Sequence, residues 1–115
     1  MIIGSWQAAT IAQSAQVSSE VDLGRPYETM LISFPDLTND TKITVKVGEK
    51  SGAVAYELHS FDYATGQNKV ISIRSGSLAQ FFAQVPIGGF QFITIYTSNA
   101  APSGGWAIRV CGVRS

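Results

Sequence analysis

The sequence predicts an all-β protein: an antiparallel two-sheet β-sandwich, jelly-roll-like, with about seven to eight strands and at most one short helix. Apolar side chains recur at every second residue, which is the period of a strand with one buried face. Turn-forming residues separate these runs at fairly regular spacing, as they do in sandwiches. The chain has 115 residues, enough for one domain with one hydrophobic core.

The first third of the chain is predicted to contain three strands. Weak alternation marks 6–11 and 18–23, and stronger alternation marks 29–34. The third strand ends before Pro35, because proline cannot donate to a central ladder. The Gly-Arg-Pro segment at 24–26 is predicted to be a turn between the strands at 18–23 and 29–34.

The middle of the chain carries the clearest strand, at 42–47. Three β-branched aliphatic residues there alternate with Lys and Thr, so one face is predicted to be buried and the other exposed. A polar turn that contains glycine follows, and then a second apolar run at 54–61, in which Val54, Tyr56 and Leu58 lie on one side. The two runs are predicted to pair as an antiparallel hairpin.

The last part of the chain is predicted to contain three more strands, at 70–74, 90–97 and 106–113. Aromatic and β-branched residues dominate the second of these, which suits a pleated surface. The Gly-Gly pair at 88–89 is predicted to be a turn. The apolar residues of 77–85 fit helical spacing, so the pattern allows a short helix there.

A single domain is predicted over 17–115, and 1–16 is either an N-terminal arm or the first strand. The first residues lack the basic and long apolar regions of a signal peptide. No run of 18 apolar residues occurs, so no membrane partner is expected. Because Cys111 is the only cysteine, no intrachain disulfide can form, and its apolar surroundings predict an inert, buried or half-buried thiol.

Charge and composition restrict the partners. Eight Lys and Arg residues balance eight Asp and Glu residues, so no basic stripe is available to neutralise phosphates and no nucleic-acid partner is expected. Only 14% of the residues are charged, against about a quarter in typical domains. Such an uncharged surface suits either a neutral soluble protein or a subunit that is buried against its neighbours.

The reactive groups that catalysis requires are sparse, and the protein is predicted not to be an enzyme. His59, the only histidine, could pair with Glu57 on the same face of a strand, but no nucleophile accompanies them. One His and one distant Cys cannot build a transition-metal site. Asp36, Asn39 and Asp40 could offer oxygens to calcium, although such a turn is usually only solvated. No cofactor is therefore expected.

Aromatic side chains are the remaining candidates for a binding surface. Trp6, Tyr63, Phe81 and Phe82 are predicted to lie in a protein interface, with Trp6 as the anchor if the N-terminal segment is an arm. In a second interpretation, Tyr63 and Trp106 form a platform that stacks on sugar rings. The alternative for Trp106 is the core, because it begins an apolar alternating strand.

The order of several segments resembles that of small β-sandwich structural proteins of tailed bacteriophages. The segments that carry the resemblance are 8–12, 21–24, 43–47, 55–58, 92–96, 99–101 and 108–110. They comprise an Ala/Thr-rich opening strand, a Val-Asp-Leu-Gly segment, the hairpin, and a late strand followed by an Asn-Ala-Ala loop and an aliphatic final strand.

The resemblance implies a virion component, made in the host bacterial cytoplasm, that binds the major capsid protein or another virion protein. The expected role is capsid decoration or cement, or a place in the tail, with a homotrimer as the favoured oligomer. The alternative is a carbohydrate-binding or host-adhesion module of a tail or fibre. A small sandwich hydrolase is the third reading, and it requires a pocket that gathers His59 with at least two acids.

Overall fold

A computed structural model describes residues 2–37 and 40–114. The described residues form ten strands and no helix. In chain order the strands are β1 (Ile2–Ile3), β2 (Gln7–Ala8), β3 (Val21–Phe34), β4 (Lys42–Gly48), β5 (Tyr56–Glu57), β6 (His59–Asp62), β7 (Gln67–Val70), β8 (Ser72–Arg74), β9 (Phe81–Thr97) and β10 (Arg109–Arg114). Most of the turn predicted at 38–40, including Asn39 of the suggested calcium ligands, lies outside the described residues.

Eight strands form one hydrogen-bonded antiparallel sheet, in the order β1-β10-β3-β9-β4-β5. β2 also pairs with β10, and β8 with β4. Val110 of β10 and Ile43 of β4 stand far apart in this order, yet both bury their side chains in the same core. The sheet therefore folds over into two packed layers, and the predicted antiparallel β-sandwich is confirmed.

The long strand β3 changes register in the middle of its pairing with β9. Residues 23–26 stand opposite Gln91 alone, between the paired residues on either side. Asp22 holds this bulge, since its Oδ1 accepts hydrogen bonds from the Gln91 side chain at 2.8 Å and from the Gly24 backbone at 2.8 Å. Both bonds favour the charged carboxylate and so lower the pKa of Asp22. The bond from Gln91 has the larger effect.

Strand β9 has its own irregularity at the neighbouring position, where Gly88 and Gly89 adopt φ of 66° and 88° and the register with β3 shifts again. The predictions of turns at 24–26 and 88–89 are therefore wrong, because the pairing of β3 with β9 continues on both sides of each segment. Bulges bend a strand and increase its twist. At this place they allow β3 and β9 to pass from one layer of the sandwich to the other.

The alternation predicted for the body of the sandwich is confirmed. In β4 the aliphatic residues are buried, while Lys42 is exposed and the alternating Thr and Lys residues are half-buried. Near the C-terminus, Trp106, Ile108 and Val110 are buried, and Arg109 between them is exposed. The short helix allowed at 77–85 is absent, because the residues from Phe81 onward alternate between half-buried and exposed at the start of β9.

The predicted strand 54–61 is the main departure in this part of the fold. β5 pairs with β4 over only two residues, Glu57 with Lys46 and Tyr56 with Val47. The chain then leaves the sheet, and β6 pairs with β7 in a separate two-stranded ribbon. We call residues 59–70 the arm. Short strands at this junction and at the N-terminus explain why ten are found where seven to eight were predicted.

The N-terminal segment packs along β10. Backbone N–H groups of Gly4 and Ala9 donate to carbonyls of the final strand region at 2.8 Å and 2.7 Å. Ile11 forms an isolated bridge with Trp106, and both side chains are buried. The segment thus contributes directly to the core.

Candidate functional site

Trp6 and Phe82 lie together on the outer face of the layer formed by β10, β3 and the first part of β9. Their ring centroids are 6.4 Å apart, and the guanidinium of Arg109 lies 5.3 Å from the Trp6 ring. Phe82 points outward because it alternates with inward-facing neighbours, and 71% of its surface is exposed. We call Trp6, Phe82 and Arg109 the Trp6 face.

Phe81 does not belong to this surface. It is half-buried, and its ring stacks on buried Phe34 at 4.8 Å with an interplanar angle of 25°. Consecutive strand residues point to opposite faces, so Phe81 and Phe82 cannot share one exposed patch. Phe81 packs against the core from a half-buried position, and Phe82 faces solvent.

The end of the arm carries two exposed aromatic rings. Tyr63 is 90% exposed and Phe61 is 50% exposed. Their ring centroids are 4.9 Å apart in an edge-to-face arrangement. The predicted exposed position of Tyr63 therefore has a second aromatic residue beside it.

Asp62 organises the turn behind these rings. Its carboxylate lies 3.0 Å from the ammonium of Lys69, and it accepts a hydrogen bond from the Ala64 N–H at 3.0 Å. Both contacts favour the charged carboxylate and so lower the pKa of Asp62. The contact with Lys69 has the larger effect and the Ala64 bond the smaller. The Gly66 N–H donates to the Asp62 carbonyl at 2.8 Å, which closes the turn. Lys69 stays largely exposed while it holds this contact.

A groove of about 420 Å³ opens at the base of the arm. Its apolar wall is formed by Val47, Val54, Tyr56, Leu58 and Phe90, and Glu49, Ala53 and Glu57 complete its lining. We call it the Tyr56 groove. Its volume falls in the range of about 300–1,000 Å³ that is typical of ligand pockets.

Sequence reasoning missed the Tyr56 groove because its walls are distant in the sequence. Phe90 comes from the bulged part of β9, whereas the other wall comes from the β4–β5 connection and the residues that lead into the arm. The Leu58 side chain lies beside Gly88 of β9, 3.6 Å from the position that a Cβ at Gly88 would take. Only the alternation of Val54, Tyr56 and Leu58 was visible, and it indicated a strand rather than the wall of a cavity.

The predicted pairing of Glu57 with His59 is confirmed by a separation of 3.9 Å between Oε2 and Nε2, with both side chains partly exposed. Among the described residues, no three His, Cys, Asp or Glu side chains are grouped so that they could hold a metal ion. Asp40, one of the suggested calcium ligands, instead accepts hydrogen bonds from Arg74 at 2.9 Å and from the Gly76 backbone at 3.0 Å.

Trp106 is only 3% exposed, and its ring packs in the core. It therefore cannot present a face to a sugar ring, and the predicted platform of Tyr63 and Trp106 is corrected to exclude it. Tyr56 is the exposed aromatic residue that lies at a concave surface.

Cys111 is buried, as predicted, and its Sγ donates to the Gly4 carbonyl at 3.0 Å. Burial raises the pKa of this thiol.

No known protein family and no curated protein matches the sequence. The fold is similar to that of the SPBc2 prophage-derived protein YomS, with a TM-score of 0.55 and 10% identity over 97% of this chain and 95% of that one. Two weaker likenesses have a TM-score of 0.44. The K3 cleaved adhesin domain of Lys-gingipain from Porphyromonas gingivalis w83 is 9% identical over 96% of this chain and 72% of its own. CsCBM6-3 from Clostridium stercorarium, solved with cellobiose, is 16% identical over 97% of this chain and 76% of its own.

At these identities the likeness to YomS establishes the shared fold alone, and the two weaker ones are too distant to inform the site. No helix in the described part of the chain is of the length and apolarity needed to cross a membrane.

Proposed function

We propose that this chain is a non-enzymatic structural protein of a tailed-bacteriophage virion, which associates with itself and binds the capsid as a decoration or cement protein. A homotrimer is the favoured oligomer, and the major capsid protein is the favoured partner. The observation that carries the proposal is the arm, whose end holds Phe61 and Tyr63 in solvent. The fold shared with a prophage-derived protein supports a phage origin.

The low stability expected of the arm by itself favours a binding role. A two-stranded ribbon in water is marginally stable, since neither face is covered. Only a few local contacts hold this one, among them the Lys69–Asp62 ion pair and the edge-to-face rings. An aromatic side chain buries about 150–250 Å² when covered, so a partner at the arm would stabilise both the ribbon and the complex.

The surface composition supports assembly at many equivalent sites. The chain carries no net charge, so copies brought together on a shell do not repel one another strongly. In a decorated particle each contact can be weak, because attachment at several linked sites multiplies the overall affinity. A small, compact sandwich with an exposed arm fits such a role.

The particle itself provides the test. Virions purified from the host that carries this gene should contain the chain in a fixed, small-integer ratio to the major capsid protein, as measured by quantitative mass spectrometry. Absence from the particle, together with a monomer in light scattering at micromolar concentration, would contradict the proposal.

A pair of variants tests the role of the arm. The double variant Phe61→Ser and Tyr63→Ser should bind shells that lack the wild-type chain at least about tenfold more weakly, because central aromatic anchors dominate binding energy. Ala64→Ser changes an exposed neighbour in the same turn and serves as the control. Equal binding by all three proteins would mean that the arm contributes nothing to attachment, neither by touching the shell nor by linking copies that bind it together.

The alternative is a carbohydrate-binding or host-adhesion module, and the Tyr56 groove is the observation that favours it. Ligand pockets combine apolar and aromatic walls with a few polar groups, and the groove offers the exposed ring of Tyr56 with Glu49 in its lining. A glycan array should then give a signal that Tyr56→Ala abolishes. Phe82→Ala, which removes an exposed ring elsewhere, should retain it. An array without signal would remove this alternative.

A further inference from the structure

We infer that the Tyr56 groove is the docking site for the arm of a second copy of this chain. The inference rests on the proposed function, since it names the contact through which the subunits of the virion protein associate. Each copy then supplies one arm and offers one groove. The surfaces are different, so the contact is head-to-tail and closes into a ring when the rotation between copies allows it.

Shape is the first argument. The arm projects from the body, with Tyr63 almost fully exposed at its end. The groove is the concave counterpart, with an apolar wall that includes Leu58 and Phe90. Apolar rings in a preformed apolar groove lose their contact with water, which is the dominant favourable term in association.

Charge is the second argument. Asp62 is mostly covered, whereas the Lys69 ammonium beside it is largely exposed, so the arm presents a positive charge next to its aromatic end. Glu49, an exposed residue, lines the groove and offers it a negative charge. An arm that places its rings on the apolar wall brings opposite charges together, which fixes its orientation.

An arm cannot fill its own groove. Tyr63 follows Leu58 by five residues, four of which form the extended strand β6. At about 3.3 Å per strand residue, the end of the arm lies roughly 16 Å from the wall from which it starts. The occupant must therefore be another molecule, and a second copy is the one whose shape and charge the structure shows to match.

Disulfide trapping between separately prepared chains tests the inference. One chain carries Ala64→Cys beside the two rings at the end of the arm, and the other carries Val54→Cys in the groove, both at exposed positions that leave the rings and the core intact. A disulfide needs Cα atoms within about 4.4–6.8 Å, so it reports direct docking. The native Cys111 is buried and does not interfere.

The control pair is Ala64→Cys with Ser103→Cys, which lies on an exposed loop away from the groove. At micromolar protein, the docked pair should cross-link on the order of a hundredfold faster than the control, because docking holds the thiols at a millimolar effective concentration. Circular dichroism of each variant checks that it is folded. Equal rates for the two pairs would overturn the inference.

The outcomes also separate this inference from the proposed function. If the chain is found in virions and self-associates, but the two pairs cross-link equally, the docking site is wrong and the virion role stands. If the arm and the groove cross-link but the chain is absent from particles, docking stands and the virion role fails. If an oligosaccharide fills the groove and leaves self-association unchanged, the arm is not the occupant and the inference is overturned.

Discussion

The strand β4 and the segment that leads into the arm have the same sequence pattern and opposite environments. In β4, Ile43 and Val45 alternate with polar residues and are buried. In the later segment, Val54, Tyr56 and Leu58 alternate in the same way, yet Val54 and Tyr56 each keep 69% of their surface exposed and Leu58 is only half-buried. The comparison shows that alternation encodes a strand, whereas burial requires a second layer. An alternating strand that no second layer covers leaves an apolar surface exposed, and that surface can bind a partner.

The largest difference between body and arm should appear in stability. Ile95→Ala removes a fully buried side chain and should lower the free energy of unfolding by about 2–5 kcal/mol, because the cavity adds to the lost transfer energy. Phe61→Ala, in the arm, should change it by no more than about 0.5 kcal/mol. Urea unfolding followed by circular dichroism measures both. Similar losses would show that the arm unfolds as part of the core.

A smaller effect should show how closely the body is packed. A Cβ added at Gly112 would overlap the ring of buried Tyr27, so Gly112→Ala should cost about 1–3 kcal/mol. Gly48→Ala is the matched control, because the nearest atom to its added Cβ would be 3.7 Å away. The same urea experiment distinguishes them, and a Gly112→Ala protein as stable as wild type would refute the tight contact.

The two aspartates with lowered pKa should give the body and the arm different responses to acid. Each stabilises its surroundings above the ordinary aspartate pKa of about 3.9, and the contribution is lost as pH falls through the lower folded value. Asp22 holds the bulge in the body, so Asp22→Asn should weaken the pH dependence of global unfolding in this acid range. Asp62→Asn should alter only amide exchange in the arm. Identical effects on global unfolding would contradict the distinction.

The smallest expected change concerns thiol chemistry. Cys111 is buried with a raised pKa, so little thiolate is available and iodoacetamide should leave it unmodified in the native protein. The cysteine of Tyr63→Cys should be alkylated readily, because the arm is exposed. Mass spectrometry counts the modified thiols. Rapid alkylation of Cys111 would mean that the N-terminal segment detaches easily from β10.

Strands and core were predictable from sequence where the signal is local. The period-two pattern identified β4 and the second half of β3, and it placed Trp106 and Ile108 on one face. The Gly-Arg-Pro and Gly-Gly segments were misread because a bulge and a turn use the same residues. The difference depends on whether a distant strand continues to pair, which local composition does not encode.

The candidate site was less predictable. Tyr63 was identified as an aromatic candidate for a binding surface, but its neighbour Phe61 and the Tyr56 groove depend on where the chain leaves the sheet. That departure follows from the two-residue pairing of β5 with β4. Trp106 was ambiguous because a tryptophan in an alternating run fits either a buried or an exposed face.

The bent sheet leaves few open edges. Two separate sheets would have four, but one sheet that continues around the corner has two, one at β1 and β2 and the other at β5 and β8. Each of these strands is only two or three residues long. Short edge strands offer a poor template for another chain's backbone, so the body of the sandwich resists edge-to-edge growth into fibrils. Backbone pairing between crowded copies would therefore be concentrated at the two open edges of the arm, on β6 and β7.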